Sequence, residues 1–129
     1  MSIPVEIDDL RPALDDYGWA YLLTVRDDQR PHAVAVTPTW DGDELVTAVG
    51  RGTARNAAMR PQVSLCYPPP TSDGYSLIVD GTATVLDDDG TDVLRFAPTT
   101  AVKHRPAPEG FAGSPSGCAS DCLPVSDSG

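Results

Sequence analysis

Residues 31–49, PHAVAVTPTWDGDELVTAV, place an Asp-Gly pair between two strand-forming runs. In the first run Ala33, Ala35 and Thr37 alternate with Val34, Val36 and Pro38, the period of two that sends successive side chains to opposite faces of a strand. Asp41-Gly42 is the strongest short hairpin signal, so the chain is expected to turn there and return as a strand through Val49. This hairpin commits the middle of the sequence to antiparallel β-structure.

The flanking segments extend that commitment. WAYLLTVRDD (19–28) is apolar and rich in β-formers, and DDQR (27–30) turns it into the hairpin. QVSLCYP (62–68) reads as a fourth strand, and PPPTSDG as a stiff loop. YSLIVDGTATVLDD (75–88) is a long strand whose Gly81 marks a bulge or bend. DVLRFAPTTAVKHRP (92–106) gives one last strand or two around Pro98. Two short helices fit between them. Residues 6–16 begin with acids suited to a helix N-terminus, tolerate Pro12 only in the first turn, and end at Gly18. GTARNAAMR (52–60) is Ala-rich, with Thr53 as the expected N-cap and Pro61 as its stop. The expected fold is therefore mainly β: a six-stranded antiparallel barrel with two short helices, closed because closure removes exposed edges.

At 129 residues the chain is most simply one domain, taken here as 1–106, followed by a Pro/Gly/Ser-rich tail at 107–129. No apolar run approaches the ~20 residues of a membrane helix. MSIPVEIDDL lacks the basic and apolar regions of a secretory signal, so a cytoplasmic location is expected. The tail carries Cys118 and Cys122 at a C-x₃-C spacing, open to three readings: two ordinary thiols, half of a metal site, or a redox pair. Two ligands do not make a metal site, and none is assigned. Cys66, on a strand, is expected to be a small buried hydrophobe.

Nineteen acidic residues against nine basic ones give a net charge of −10. That excludes the broad basic face a nucleic acid needs and disfavours anionic membrane surfaces. Against this background Arg51, Arg55 and Arg60 cluster in RGTARNAAMRP (51–61). A helix N-terminus offers free N–H groups and a positive dipole end, Gly52 lets an anion approach the backbone, and Thr53 can donate a hydroxyl. Arg51 and Arg55, four apart, can share one phosphate. A solvated basic helix would show the same residues. Lys103, His104 and Arg105 form a second small basic spot.

The order of elements in RPHAVAVTPTWDGDELVTAVGRGTARNAAMRPQVSLCYP (30–68) and YSLIVDGTATV (75–85), with weaker similarity through AVKHRP (101–106), resembles the pyridoxamine 5′-phosphate oxidase-like family of flavin and deazaflavin oxidoreductases. The resemblance covers most of residues 15–106 and implies an FMN-binding type of split β-barrel. It further implies a homodimer holding two cofactors at its interface. The cofactor phosphate would lie against Thr47, Arg51, Gly52, Thr53 and Arg55, and Val36, Thr37, Pro38 and Thr39 would lie beside the ring. Strand backbone groups there can hydrogen-bond the ring's polar edge while apolar neighbours cover its face. Two departures stand out. The oxidase shows Arg-Lys where this chain has Gly52-Thr53, and no C-terminal segment matches the oxidase's substrate-binding end. A related oxidoreductase acting on another small organic substrate is the expectation, rather than an enzyme making pyridoxal phosphate. FMN is favoured over the deazaflavin coenzyme F-420, whose tail of several glutamates prefers a basic groove. The alternative class is a protein that holds flavin or haem without turnover, as would follow if Trp40 or the 67–75 loop closed the cofactor's reactive face. No catalytic residue is assigned; Tyr67 and His32 are candidates by chemistry alone.

Overall fold

The computed structural model describes residues 1–107. In chain order the elements are strand β1 (Ser2–Val5), a 3₁₀ turn (Ile7–Asp9) running into helix α1 (Leu10–Leu14), β2 (Ala20–Val25), β3 (Pro31–Val36), β4 (Thr39–Asp41), β5 (Glu44–Val49), helix α2 (Arg51–Met59), β6 (Gln62–Tyr67), β7 (Ser76–Asp88) and β8 (Thr91–His104). The strands form one antiparallel sheet in the order β3-β2-β6-β7-β8-β5-β4, and β1 pairs with the end of β8.

The expected six-stranded closed barrel is corrected to an eight-stranded sheet whose edge strands β3 and β4 do not pair with each other. The run 31–40 breaks because Pro38 has no N–H to give a ladder, and its two halves go to opposite edges of the sheet. Those edges are joined only by Thr37 and Pro38, a link that spans at most about 10 Å. The sheet must therefore curl until its edges approach, and it stays split at that seam. The hairpin tip is as expected, with Gly42 at φ 67°, a conformation other residues rarely adopt.

The β7–β8 ribbon is the longest pairing, running from Ser76↔His104 to Asp88↔Thr91. One edge of β8 serves two partners in turn: Asp92–Phe96 pair with β5, and Ala101–His104 pair with β1. Between them lies the bend anticipated at Gly81. Asp80 pairs with Thr100 and Gly81 with Pro98, leaving Thr99 as the extra residue of a bulge. Pro98 does not end the strand, because the bulge absorbs its missing donor.

Inward positions of β2, β5, β6, β7 and β8 supply Leu22, Leu45, Leu65, Leu77, Val79, Leu94 and Phe96, all at most 2% exposed, and Leu10 of α1 closes one end of this core. Helix α2 buries Thr53, Ala54, Asn56 and Ala57; the two alanines are small enough to let it lie close to the sheet. Arg95 fastens the β4–β5 hairpin to β8 through Glu44 (2.8 Å) and Asp41 (3.0 Å). Among the described residues no helix is long and apolar enough to cross a membrane.

A Cβ on Gly81 would sit 2.6 Å from the Phe96 ring and against the Ala97 carbonyl. Gly81→Ala is expected to lower unfolding free energy by about 2 kcal/mol, as overpacking of a filled core does. Urea unfolding of the two proteins measures it.

Candidate functional site

At the seam the two edges of the sheet enclose a hollow of about 420 Å³ lined by Ala35, Val36, Thr37, Thr39, Val46, Thr47, Ala48 and Val93. Four of the residues expected beside a cofactor, Val36, Thr37, Thr39 and Thr47, thus meet in one place. Pro38 sits in the link at the rim. A second hollow of about 380 Å³, formed by Trp19 with Ala35, Val36 and Thr37, continues the first. No charged side chain lines either one. Because β3 pairs only with β2, its other edge presents backbone groups that no strand uses.

Strand β5 leads from this hollow straight into α2. Gly50, extended at ψ 169°, is the residue that caps the helix, and it has no side-chain bond to offer. Thr53 is not the N-cap expected from its residue type; it lies one turn in, 4% exposed, on the buried face. The position is understandable, since Arg51 already has helical geometry and the turn begins three residues earlier. Gly52 has nothing within 4 Å of where a Cβ would point, so its side of the first turn is open.

The helix is held against the sheet by Asn56, whose amide donates to the Thr24 hydroxyl of β2 at 3.2 Å, both side chains being buried. That bond orients the arginines. Arg51, its side chain 85% exposed, reaches Asp92 at 2.9 Å, one residue from Val93 in the hollow. Arg55 donates through Nε (3.2 Å) and Nη2 (2.8 Å) to Asp27 Oδ2 in the β2–β3 turn. Arg60 donates to the other oxygen, Asp27 Oδ1, at 3.0 Å. In this arrangement Arg51 and Arg55 hold different carboxylates, and Arg55 shares one with Arg60. The Arg55 and Arg60 hydrogen bonds hold the Asp27 carboxyl below its ordinary range, and Asp27 in turn raises Arg55. Neither Asp27 nor Asp92 was marked as part of a site by its sequence context.

Several other candidates lie elsewhere. Tyr67 is a core residue, 2% exposed, with its ring edge-on to Tyr17 at 6.1 Å; burial pushes its phenol up to about 12. His32 is half-buried on β3, outside the residues lining the hollow. Cys66 is half-buried rather than buried, because it faces outward on β6 beside Tyr21. Trp40 lies under the Arg11 guanidinium at 4.4 Å and lines a separate cleft with Ile7, Asp8, Arg11 and Asp43. The 67–75 loop packs toward Arg105, whose guanidinium covers the Tyr75 ring at 4.4 Å. Neither lines the hollow at the seam. Cys118 and Cys122 lie outside the described residues.

Uncharacterised proteins of Mycobacterium bovis and Mycobacterium tuberculosis are each 40% identical to this chain over 132 aligned positions, covering 92% of it and 93% of their own length. Solved structures that share its fold include the following three. An F420 reductase matches at a TM-score of 0.62 and 20% identity, covering 70% of this chain and 94% of its own. A Clostridium acetobutylicum protein related to general stress protein 26, of the pyridoxinephosphate oxidase family, matches at 0.62 and 13% identity, covering 78% and 91%. HutZ, the haem storage protein of Vibrio cholerae, matches at 0.58 and 16% identity, covering 74% and 93%. The chain belongs to the family of the mycobacterial proteins, and its fold is the pyridoxamine 5′-phosphate oxidase-like split barrel. No family model matches the sequence.

In this split barrel the buried Tyr67 phenol resists ionisation that the unfolded chain undergoes near pH 10. Its folded value is raised, so its stabilising effect is complete below pH 10 and is lost as the pH rises from 10 toward 12. Tyr67→Phe should remove about 1.4 kcal/mol of that loss, read from urea unfolding at pH 8 and pH 11.

Proposed function

We propose that this protein is an FMN-binding oxidoreductase that holds the cofactor ring in the seam of the barrel and its phosphate at the start of α2. The observation that carries this reading is the meeting of Val36, Thr37, Thr39 and Thr47 in one hollow whose β5 wall runs directly into Arg51, Gly52 and Arg55. Its volume of about 420 Å³ lies in the ordinary range for ligand clefts, about 300–1,000 Å³. Small apolar side chains, Ala35, Val36, Val46 and Val93, suit the faces of a flat ring. The free edge of β3 and the threonine hydroxyls suit its polar rim.

When bound, FMN would supply the hydride or electron transfer to a small organic substrate. The chain's own residues would bind and orient it: the edge backbone of Ala35 and Thr37 by hydrogen bonds, Gly52 by leaving the helix turn open, and Arg51 and Arg55 by charge-assisted bonds to phosphate. Neither Trp40 nor the 67–75 loop lines the hollow, which leaves room for a substrate and favours turnover over storage. Likeness to an F420 reductase supports the deazaflavin coenzyme as the alternative cofactor. A polyglutamate tail would, however, meet a chain of net charge −10. Likeness to HutZ supports a second reading, haem or flavin storage without turnover.

The site is built to be shared between two copies. Register partners Ala35, Tyr21, Cys66, Ile78, Val102 and Pro4 form an apolar row across the outside of the sheet, with Trp19 edge-on to Tyr21 at 4.8 Å. Trp19 and Tyr21 are 42% and 43% exposed. Ala35 belongs both to this row and to the hollow, so a second copy packed on the row would wall the cofactor.

Fluorescence titration with FMN, the deazaflavin coenzyme and haem tests the reading. FMN is expected to bind saturably at one per chain, and Arg51→Ala with Arg55→Ala to weaken it at least about tenfold. Equal binding by the double variant, or no binding of either flavin, would overturn the assignment; haem alone binding would favour storage.

A further inference from the structure

Asp27 is held as a phosphate would be held. Its carboxylate sits between Arg55, on α2, and Arg60, the residue that caps the helix's C-terminus, and both of its oxygens are engaged: Oδ2 by the Nε and Nη2 of Arg55, Oδ1 by the Nη1 of Arg60. Guanidinium groups grip phosphate oxygens by the same fork of charge-assisted bonds. Among the described residues these are the only side-chain hydrogen bonds that Asp27 makes.

The bland account is that Asp27 fastens the β2–β3 turn to the helix. The turn has little use for it. Arg26 N–H donates to the Arg30 carbonyl at 2.9 Å, and Gln29 N–H donates to the Arg26 carbonyl at 2.9 Å. The Arg30 N–H is taken by Asp28 Oδ1 at 3.1 Å, and Asp28 also pairs with Arg26 at 3.0 Å. Gln29 takes the left-handed conformation, φ 71°, that lets the turn close. Docking of α2 likewise has its own buried bond, Asn56 to Thr24. Asp27 is thus a surface carboxylate, its side chain 51% exposed, whose partners are two arginines and whose removal leaves the turn and helix their other bonds.

We propose that Arg55 and Arg60 form a phosphate site in which the Asp27 carboxylate competes for the two guanidinium groups, its oxygens standing in for two phosphate oxygens. The site takes a phosphate dianion, free or as a monoester. It rests on the cofactor reading only for which phosphate it meets, since Arg55 serves both; Arg60 is added to the binding set, and Asp27 becomes the group that yields. In a chain of net charge −10 such a plug keeps the arginine pair oriented while ions come and go. It also sets the affinity: an incoming phosphate must replace the two exposed ion pairs that Asp27 makes with Arg55 and Arg60, a modest cost that a dianion with three free oxygens recovers.

The test is titration with inorganic phosphate at pH 7.5, followed by the arginine Nε–Hε signals in the NMR spectrum. Four full-length proteins are compared: wild type, Asp27→Asn, Asp28→Asn, and Asp27→Asn combined with Arg60→Ala. Asp27→Asn is expected to bind phosphate about fivefold more tightly than wild type. Asp28→Asn removes the same unit of charge one residue along the turn but touches neither Arg55 nor Arg60, and should stay within about twofold of wild type. Arg60→Ala should cancel the gain. Equal affinity of Asp27→Asn and wild type, or an equal gain from Asp28→Asn, would overturn the proposal. Should Asp27→Asn fail to fold by its thermal melt, Asp27→Ser is the replacement. The same proteins titrated with FMN separate the two readings. A gain for both ligands upholds the site and its link to the cofactor. A gain for phosphate alone upholds the site and counts against Arg55 as an FMN ligand.

Discussion

Two residues, Thr37 and Pro38, join the two edges of an eight-stranded sheet, and most of the architecture follows from that short link. Edges that must approach within about 10 Å force the sheet to curl around its core. Pro38, lacking an N–H, helps keep the edges from zipping together. The result is a barrel with a permanent slot, and the slot is the hollow between β3 and β5. Curling needs a bend on the opposite side, which Gly81 and the Thr99 bulge provide in the β7–β8 ribbon. The same bend lets one edge of β8 serve β5 first and β1 afterwards. Filling the inside with leucines and Phe96 then fixes the register, because a slip of one residue would turn those side chains outward.

The helix that follows β5 carries the local positive charge of a strongly acidic chain. Its inner face is small and polar enough to dock through Asn56 and Thr24. Its arginines and the Arg60 that caps it are paired: Arg51 holds Asp92, while Arg55 and Arg60 hold Asp27. An approaching anion therefore meets arginines already oriented by carboxylates, at exposed sites where each ion pair contributes little and can be exchanged. That arrangement lets a chain of net charge −10 keep a local cluster of arginines on its surface.

The broad layout was legible because alternation and turn residues are local signals. The Asp41-Gly42 hairpin, the strands on either side of α2, and the bend at Gly81 could all be read from the chain. What escaped depended on partners distant in sequence. Strand β1 is only Ser2–Val5 and exists because β8 offers it an edge 100 residues away. The break after Val36 is hidden in an alternating run, since Pro38 can stand in an edge strand as well as end one. Thr53 has the residue type of a cap yet is drawn inside by the start of the helix at Arg51. The seam residues Val36, Thr37, Thr39 and Thr47 were reached through family resemblance, and the fold brings them together. Asp27 and Asp92 were not, because their arginines lie 28 and 41 positions away and nothing in either neighbourhood marks the pairing.

The central claim is that the seam of the barrel is where a flavin-type ring lies. Nuclear Overhauser contacts between the ring protons of bound FMN and the methyl groups of Val36, Val46 and Val93 test it most directly. The account predicts contacts to all three valines, with shifts in the Ala35 and Thr37 amides as the free edge of β3 is engaged. Contacts instead to the Trp40 cleft, with the three valines silent, would contradict it.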